Sequence, residues 1–126
     1  MTYRILITGS RDWDRDDVLA FHLGVALGEA PTMLDVVIVH GACPTGADAL
    51  ADGLAKHYGI AVESHLADWQ RYGRAAGFRR NAEMVALGAD VCLAFILNGS
   101  KGATHCANAA EAAGIPVRRF ARSSAQ

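Results

Sequence analysis

The segment spanning residues 91–107 places an apolar run, a glycine-rich turn and a helix-prone stretch in direct succession. Residues 91–95 predict a buried strand, residues 98–102 a turn, and the small residues after Ala103 a helix. Glycines in such a turn let the backbone approach a ligand, and the first turn of the helix directs unpaired N–H groups toward it. The segment therefore predicts a site for an anion such as phosphate, although a simple connecting turn fits the same residues.

Two earlier segments repeat this succession. Residues 3–8 form a β-prone run that ends at Gly9 and Ser10. Residues 35–40 form a nearly continuous apolar run that leads into a turn at residues 41–46 and then into a helix. The second turn is not a Walker A loop, because no Gly-Lys-Ser/Thr follows at the required spacing. ATP hydrolysis is therefore not predicted.

The rest of the chain continues the alternation of strands and helices. Residues 60–66 and 115–120 predict two more strands, and residues 78–87 predict a helix between them. Five strands alternating with four helices predict an α/β fold, a Rossmann-like three-layer sandwich whose five-stranded parallel sheet has the order 3-2-1-4-5. In that order a ligand binds at the carboxyl ends of the strands, beside the switch between the first and fourth strands. The three glycine turns should meet there.

Composition fits one domain and argues against several classes of partner. At 126 residues with 52% hydrophobic content, the chain suits a single domain at residues 1–120, followed by a C-terminal tail at residues 121–126. A net charge of −1 argues against nucleic acid as a partner. The three cysteines lack metal-ligand spacing, so we expect no metal site and a reducing, cytoplasmic location. No apolar run approaches the length of a membrane span, so no membrane association is expected.

Charged residues near the predicted turns are candidates for ligand contacts. Asp48 lies in the first turn of the helix after residue 46, where it either stabilises the helix N-terminus or binds a ligand hydroxyl. Arg79, Arg80 and Asn81 are predicted in the first turn of another helix, where cations oppose the helix dipole unless an anion is present. The turns and these cations together indicate a phosphate-bearing small molecule.

The stretch at residues 67–77 mixes aromatic and cationic side chains with two glycines, which is typical of a loop or a short irregular helix. Trp69, Arg71, Tyr72 and Arg74 would suit stacking on a base and pairing with a phosphate. The same side chains would suit a contact between subunits equally well.

Four motifs, in order, resemble the SLOG superfamily and more narrowly its small YspA/YpsA-related branch. They are GSRDW after the first strand, HGACPTGAD after the second, the segment DWQRYGRAAGFRRNAEM, and AFILNGSKGATH after the fourth strand. The similarity covers residues 5–117. It implies a Rossmann-like fold and a nucleotide-derived ligand, since relatives include the LOG phosphoribohydrolases, the DNA-processing protein DprA and sensor domains that bind nucleotide signals.

The first LOG motif is matched in part. LOG enzymes split the bond between a base and ribose 5′-monophosphate with an Arg from an R-K-x-x-M motif and a Glu shortly after a G-G-x-G-T loop. Arg80 and Met84 match the first motif in spacing, but Asn81 replaces its Lys.

The second LOG motif departs further. In NGSKGATHC, Ala103 replaces the Thr, and His105 or Cys106 stands where the acid is expected. Cleavage of a glycosidic bond calls for a carboxylate. Hydrolysis would therefore depend on Glu83 or Asp48 being brought near by the fold.

The residues and the resemblance together imply a domain that binds a phosphate-bearing, nucleotide-derived small molecule, as a sensor or a sequestering protein. The alternatives are a nucleotide N-glycosidase of LOG type, with Arg80, Glu83 and Asp48 as catalytic candidates, and, more weakly, a DprA-like protein that binds single-stranded nucleic acid. We expect a homo-oligomer and no cofactor. Asp48 would bind the ribose, and Trp13 or Trp69 would stack on the base. The expected contact residues are Gly9, Ser10, Arg11, Trp13, Gly41, Gly46, Asp48, Arg79, Arg80, Asn81, Gly99, Ser100, Lys101, Gly102 and Thr104.

Overall fold

Five parallel strands form the sheet of this protein, seen in a computed structural model that describes residues 1–124. The order across the sheet is β3-β2-β1-β4-β5, and every neighbouring pair is parallel. The predicted strand order and Rossmann-like α/β fold are therefore confirmed. The strands are β1 (Tyr3–Gly9), β2 (Val36–His40), β3 (Ala61–Ser64), β4 (Val91–Leu97) and β5 (Val117–Arg122).

Helices cover both faces of this sheet. α1 and α2 pack on one face in a cluster with Ile5, Ile7 and Phe95, whereas α4 and α5 pack on the other face against Leu6 and Cys92. Right-handed crossovers between parallel strands produce this distribution. None of the helices within residues 1–124 is long and apolar enough to span a bilayer. The helices are α1 (Asp16–Gly28), α2 (Gly46–His57), the short α3 (Trp69–Tyr72), α4 (Ala76–Ala86) and α5 (Lys101–Ala112).

The strand β4 explains why the sequence shows an uninterrupted apolar run. All seven of its residues are buried. Leu93 and Phe95 face the side covered by α1 and α2, while Ala94 and Ile96 face α5. A strand covered on both faces needs an apolar side chain at every position. The end of β4 is therefore fixed firmly within the core, directly beneath the first turn of α5.

The C-terminal strand has the predicted length of six residues but lies two residues later in the sequence, at Val117–Arg122. β5 continues through Arg122, because the Asn98 N–H donates to the Arg122 carbonyl at 2.9 Å. The Asn98 side chain also accepts from the Ser124 N–H at 2.9 Å. Two residues of the predicted tail thus belong to the sheet, and its last two residues, 125 and 126, lie outside the described residues.

Two helices begin earlier than predicted. α5 begins at Lys101, because the Thr104 N–H donates to the Ser100 carbonyl at 3.0 Å and closes the first turn there. α4 begins at Ala76, because a 3-10 turn at Gly73–Ala75 leads directly into it. Residues 79–81 therefore lie in the second turn of α4. The prediction that these cations oppose the helix dipole is therefore wrong, because the dipole acts mainly in the first turn.

Candidate functional site

A cleft of about 620 Å³ opens at the carboxyl edge of the sheet, beside the end of β1. Four segments line it: the loop after β1, the loop after β2, the chain from α3 into α4, and the first turn of α5. We call it the edge cleft. The three loops that were expected to meet from the strand order do meet there, and the volume is within the range of small-molecule sites.

The loop after β1 is fixed by hydrogen bonds within the protein. Ser10 is 1% exposed, and its Oγ accepts from the Leu97 N–H at 2.7 Å and donates to the Leu97 carbonyl at 3.3 Å. Its own carbonyl accepts from the Ala47 N–H at 3.3 Å, at the start of α2. Gly9 permits this close approach, because a Cβ there would lie 2.8 Å from the Phe95 carbonyl oxygen. Ser10 is therefore a structural residue that joins the ends of β1, β4 and α2.

The turn before α2 packs on the same loop. Gly46 has a φ of +72°, and a Cβ there would overlap the Ser10 carbonyl and lie 2.6 Å from the carbonyl carbon of Arg11. Thr45 Oγ1 donates to the Arg11 carbonyl at 2.8 Å. The N-terminus of α2 is thus in contact with protein backbone. Phosphate binding by the turn at residues 41–46 stays a prediction: Gly41, Cys43 and Pro44 of this turn line the edge cleft, whereas Gly46 contacts the loop after β1.

Asp48 holds the loop after β2 in place. Its Oδ2 accepts from the Gly41 N–H at 3.1 Å and from the Cys43 N–H at 3.3 Å. The side chain is 6% exposed and lines the edge cleft. Burial raises the pKa of the Asp48 carboxyl above its ordinary value of 3.8, and the Cys43 N–H and the Arg80 charge offset only part of that rise. Both hydrogen bonds use one oxygen, so Oδ1 remains available to a ligand.

Arg80 reaches across the floor of the edge cleft and is held by three acceptors. Its Nη1 donates to the carbonyls of Gly41 and His65, and its Nε donates to Asn81 Oδ1 at 3.0 Å. Gly41 is needed for this packing, because a Cβ there would lie 2.6 Å from the guanidinium carbon. Among the described residues, none accepts a hydrogen bond from Nη2. Arg80 is therefore oriented in advance, with one nitrogen left for a ligand.

Asn81 links Arg80 to the start of α5. The side chain is 3% exposed. Its Nδ2 donates to the Gly102 carbonyl at 3.2 Å and lies 3.4 Å from His105 Nδ1, while its Oδ1 accepts from Arg80. A Lys at this position would have no acceptor oxygen for the Arg80 Nε–H. The Asn in place of the LOG Lys therefore orients the neighbouring arginine.

The first turn of α5 faces the edge cleft. Ser100, Gly102 and Ala103 all line it. The Ser100 side chain makes no capping hydrogen bond, and the first turn contains no acidic residue. A Cβ on Gly102 would meet nothing within 4 Å. The first N–H groups of this 12-residue helix therefore remain open to an anion.

Two partly exposed aromatic side chains border the edge cleft. Trp69 is 47% exposed and carries the guanidinium of Arg11 at 5.5 Å from its ring centroid. Phe78 is 45% exposed and contacts the His105 ring at a centroid distance of 4.4 Å. Both side chains line the cleft, so each offers a flat face to a planar ligand group.

The charge of the lining is net positive. Arg11, Arg74 and Arg80 line the edge cleft together with two carboxylates, Asp12 and Asp48. The excess of cations and the dipole of α5 both favour an anionic ligand. No group of three or more His, Cys, Asp or Glu residues within residues 1–124 is arranged to hold a metal ion.

Part of the predicted set comes together in the edge cleft, and part does not. The predicted contact residues that line it are Gly9, Arg11, Gly41, Asp48, Arg80, Asn81, Ser100 and Gly102. Within residues 1–124, the predicted contact residues that do not line the cleft are Ser10, Trp13, Gly46, Arg79, Gly99, Lys101 and Thr104.

The packing of three candidate residues explains why they lie outside the lining of the cleft. Trp13 is 3% exposed and packs on Phe95 at 5.4 Å, so the predicted stacking role passes to Trp69. Arg79 lies 3.9 Å from the Tyr72 ring centroid, on the outer side of α4. Glu83, a catalytic candidate, is exposed and also outside the lining, because the α4 positions that line the cleft, 77, 78, 80, 81 and 84, lie on one side of the helix, which does not include position 83.

Some residues of the edge cleft were not predicted. Phe78 was expected on the buried side of α4, but its side chain is 45% exposed and lines the cleft. Asp12 also lines the cleft and was not singled out. Arg74 lines the cleft as well, and its signal was the mixed aromatic and cationic stretch at residues 67–77, for which a phosphate contact was one of two interpretations. Phe78 gave no such signal, because an apolar residue at helical spacing usually indicates core.

Comparisons with known proteins agree with this architecture. The family described as the YspA, cpYpsA-related SLOG family matches residues 3–72, which run from β1 to the end of α3. The "Gene 61 protein" of Mycobacterium phage D29 is 45% identical over 122 residues, covering 93% of this chain and 95% of that protein. No solved structure matches the chain.

Proposed function

The chain belongs to the YspA, cpYpsA-related SLOG family, and on that premise we propose that its edge cleft binds a phosphate-bearing, nucleotide-derived small molecule. One observation carries the proposal: the open N-terminus of α5 and the free Nη2 of Arg80 border the same 620 Å³ cleft. Helix N–H groups and a guanidinium are the donors that phosphate oxygens accept from.

The other lining residues suit the remaining parts of a nucleotide. Asp48 Oδ1 supports the binding of a ribose hydroxyl, since a carboxylate oxygen accepts hydrogen bonds well. Trp69 and Phe78 support stacking on a base, which contributes about 1–3 kcal/mol per base in proteins that bind single-stranded nucleic acids. Arg11 and Arg74 are placed at the rim for a second anionic group. We infer a role as a sensor or a sequestering protein, and the phage origin of the 45% identical relative is compatible with sequestration.

Binding without cleavage is favoured over N-glycosidase activity. Asp48 is the one catalytic candidate carboxylate in the cleft; its Oδ2 is bound by two backbone N–H groups, and its Oδ1 is the oxygen proposed to bind a ribose hydroxyl. The positions where an acid would be expected carry His105 and Cys106, and burial raises the pKa of the Cys106 thiol. A hydrolase of LOG type would need a carboxylate that is free to act on water.

A thermal-shift screen with matched arginine variants tests binding. Wild-type protein should be stabilised by some of a panel of nucleoside monophosphates, nucleoside diphosphates, NAD and ribose 5-phosphate. Arg80→Ala should raise the dissociation constant of the tightest-binding compound by at least about tenfold, which is the loss expected for a hydrogen bond to a charged group. Arg79→Ala changes the adjacent arginine outside the cleft and should bind as wild type. Equal losses in both variants would contradict the proposed site.

A second measurement separates binding from hydrolysis. The protein is incubated with the same panel, and free base is measured by chromatography. We expect the wild-type protein to release no more free base than the Arg80→Ala variant does. Release of base that depends on Arg80 would overturn the binding-only function and establish the glycosidase alternative.

A further inference from the structure

The outer face of α1 is apolar and exposed in the single chain. Phe21 is 66% exposed and Val25 is 44% exposed. After Asp17, the only polar side chain of α1 is His22, and it stacks on Phe120 at a centroid distance of 3.7 Å. A helix that is apolar on all sides is normally buried on all sides. Here the sheet buries one side, so the other side lacks a partner within the described chain.

A groove of about 480 Å³ runs beside this exposed ridge. Its floor is made by small residues one turn apart on α1, namely Ala20, Gly24 and Gly28. Met33 and Tyr58 form its far wall and are themselves 55% and 69% exposed. A Cβ on Gly24 or Gly28 would meet nothing within 4 Å, so the floor has no occupant from the protein itself.

We propose that a second copy of this chain packs on this surface, with α1 antiparallel to α1 across a two-fold axis near Gly24. The argument rests on self-complementarity. Phe21 follows Ala20 in the sequence, and Val25 follows Gly24. The ridge formed by Phe21 and Val25 therefore lies beside the groove floor along the same helix. A two-fold axis places the ridge of each copy in the groove of the other, which satisfies both surfaces with one contact.

Charge at the two ends of the surface fits the same orientation. The first turn of α1 carries Asp16 and Asp17, and the last turn of α2 carries Lys56 and His57. Leu27 of α1 and Leu54 of α2 both line the groove, so the basic turn borders its C-terminal end. An antiparallel pair brings the acidic end of one copy beside the basic end of the other. Lys56 already pairs with Asp52 and Asp17 already pairs with Arg15, each at 2.7 Å, so this charge contact supplements the apolar contact and does not replace it.

The exposed apolar area is a large part of what a stable dimer needs. Four apolar side chains on this surface are 44–69% exposed: Phe21, Val25, Met33 and Tyr58. Together they present on the order of 350 Å² if a fully exposed large side chain presents about 150 Å². A standard interface covers about 800 Å² on each partner, and about two-thirds of it is apolar in homodimers. This area favours a second copy over a small ligand, which would leave most of it in water.

Sedimentation velocity at concentrations up to about 100 µM tests the dimer. Wild type should sediment with twice the 13.3 kDa chain mass at the upper end of this range. Gly24→Gln fills the groove from within, so it should be monomeric. It should also fold at least as well as wild type, because Gln is a better helix former than Gly by several tenths of a kcal/mol and open space surrounds the site.

Gly53→Gln is the matched control. Gly53 is an exposed helical glycine of α2 that lies outside the groove, and a Cβ there would also meet nothing within 4 Å. This variant should dimerise as wild type. A wild type that stays monomeric, a Gly24→Gln protein that still dimerises, or equal loss of the dimer in both variants would each overturn the proposal.

Discussion

Helices α2 and α5 both begin after glycine-containing turns at the same edge of the sheet, yet the N-terminus of α2 contacts the protein and that of α5 faces the edge cleft. The start of α2 is in contact with the protein itself: the Ala47 N–H donates to the Ser10 carbonyl, and Asp48 lies in the first turn. The start of α5 is open to the edge cleft, with no acidic residue in its first turn and free space around Gly102.

The difference shows that glycine serves two purposes in this protein. At Gly46, the missing side chain lets the Ser10–Arg11 backbone approach α2. At Gly102, the missing side chain leaves open space beside the edge cleft. The Ser10 carbonyl thus occupies at α2 the position that an anion would take, and the proposed phosphate contact is restricted to α5 and Arg80.

Gly46→Ala should have the largest effect on stability. The new Cβ would overlap the Ser10 carbonyl, and the φ of +72° is unfavourable for Ala. Left-handed backbone and overpacking together should lower the free energy of unfolding by about 3 kcal/mol. Urea denaturation measures the change. If Gly46→Ala were as stable as wild type, the close contact between α2 and the loop after β1 would not hold α2 in place.

Ser10→Ala should cost about 2 kcal/mol, because it leaves the buried Leu97 N–H without an acceptor. The same denaturation experiment applies. Ser64→Ala, in the exposed part of β3, is a matched control that should stay within about 0.5 kcal/mol of wild type. Similar losses in both variants would mean that Ser10 does not specifically join β1 to β4.

Gly102→Ala should stabilise the protein and weaken ligand binding. Ala is favoured over Gly in a helix by up to about 1 kcal/mol, and the site has free space. The added methyl group lies where the proposed phosphate approaches the first turn of α5, so the dissociation constant should rise by about tenfold or more, which is about 1.4 kcal/mol. Calorimetric titration with the best nucleotide measures this. Unchanged affinity would remove α5 from the proposed site.

Asp48→Asn should have the smallest effect and a distinct pH dependence. Asn can still accept from the Gly41 and Cys43 N–H groups, so stability at pH 7 should stay within about 1 kcal/mol of wild type. Burial raises the pKa of Asp48 in the folded state above its ordinary value of 3.8, so the folded protein binds this proton more tightly than the unfolded chain does. Ionisation of Asp48 therefore destabilises wild type as the pH rises from about 3.8 through the folded-state pKa.

The pH dependence is measured as the difference between the two proteins. Denaturation curves of wild type and Asp48→Asn at several pH values should show the wild type gaining stability relative to the variant as the pH falls. A wild type that loses stability relative to the variant as the pH falls would mean that the carboxylate is stabilised by its two N–H donors and by Arg80 more than burial penalises it.

Sequence patterns predicted most of the fold because they record local periodicity and simple topological rules. The continuous apolar run of β4 reflects burial on both faces, and right-handed crossovers leave few arrangements for alternating strands and helices. The strand order in turn predicted that the loops after β1, β2 and β4 would meet. Arg80 and Asn81 do line the edge cleft, but the reason for singling them out, a position in the first turn of α4, is not the one the structure shows.

The sequence was less informative about which residues face the cleft. Trp13 and Trp69 have similar polar and charged neighbours in the sequence, but Trp13 packs on Phe95 in the core and Trp69 is half exposed at the cleft. Gly46 and Gly102 likewise look alike in their turns. Each outcome depends on a backbone or side chain that is distant in sequence, such as Phe95 for Trp13 and Ser10 for Gly46.

The sequence by itself determined a parallel α/β sheet, the order of its strands and the edge at which three loops meet to form a cleft, because hydrophobic period and chain connectivity can be read along the chain. Only the tertiary structure decided which helix N-terminus stays open, which tryptophan is exposed at the cleft, and that Asn81 is held by the Gly102 carbonyl. Those features depend on contacts of a few ångströms between residues far apart along the chain, such as the contact between Ala47 and Ser10.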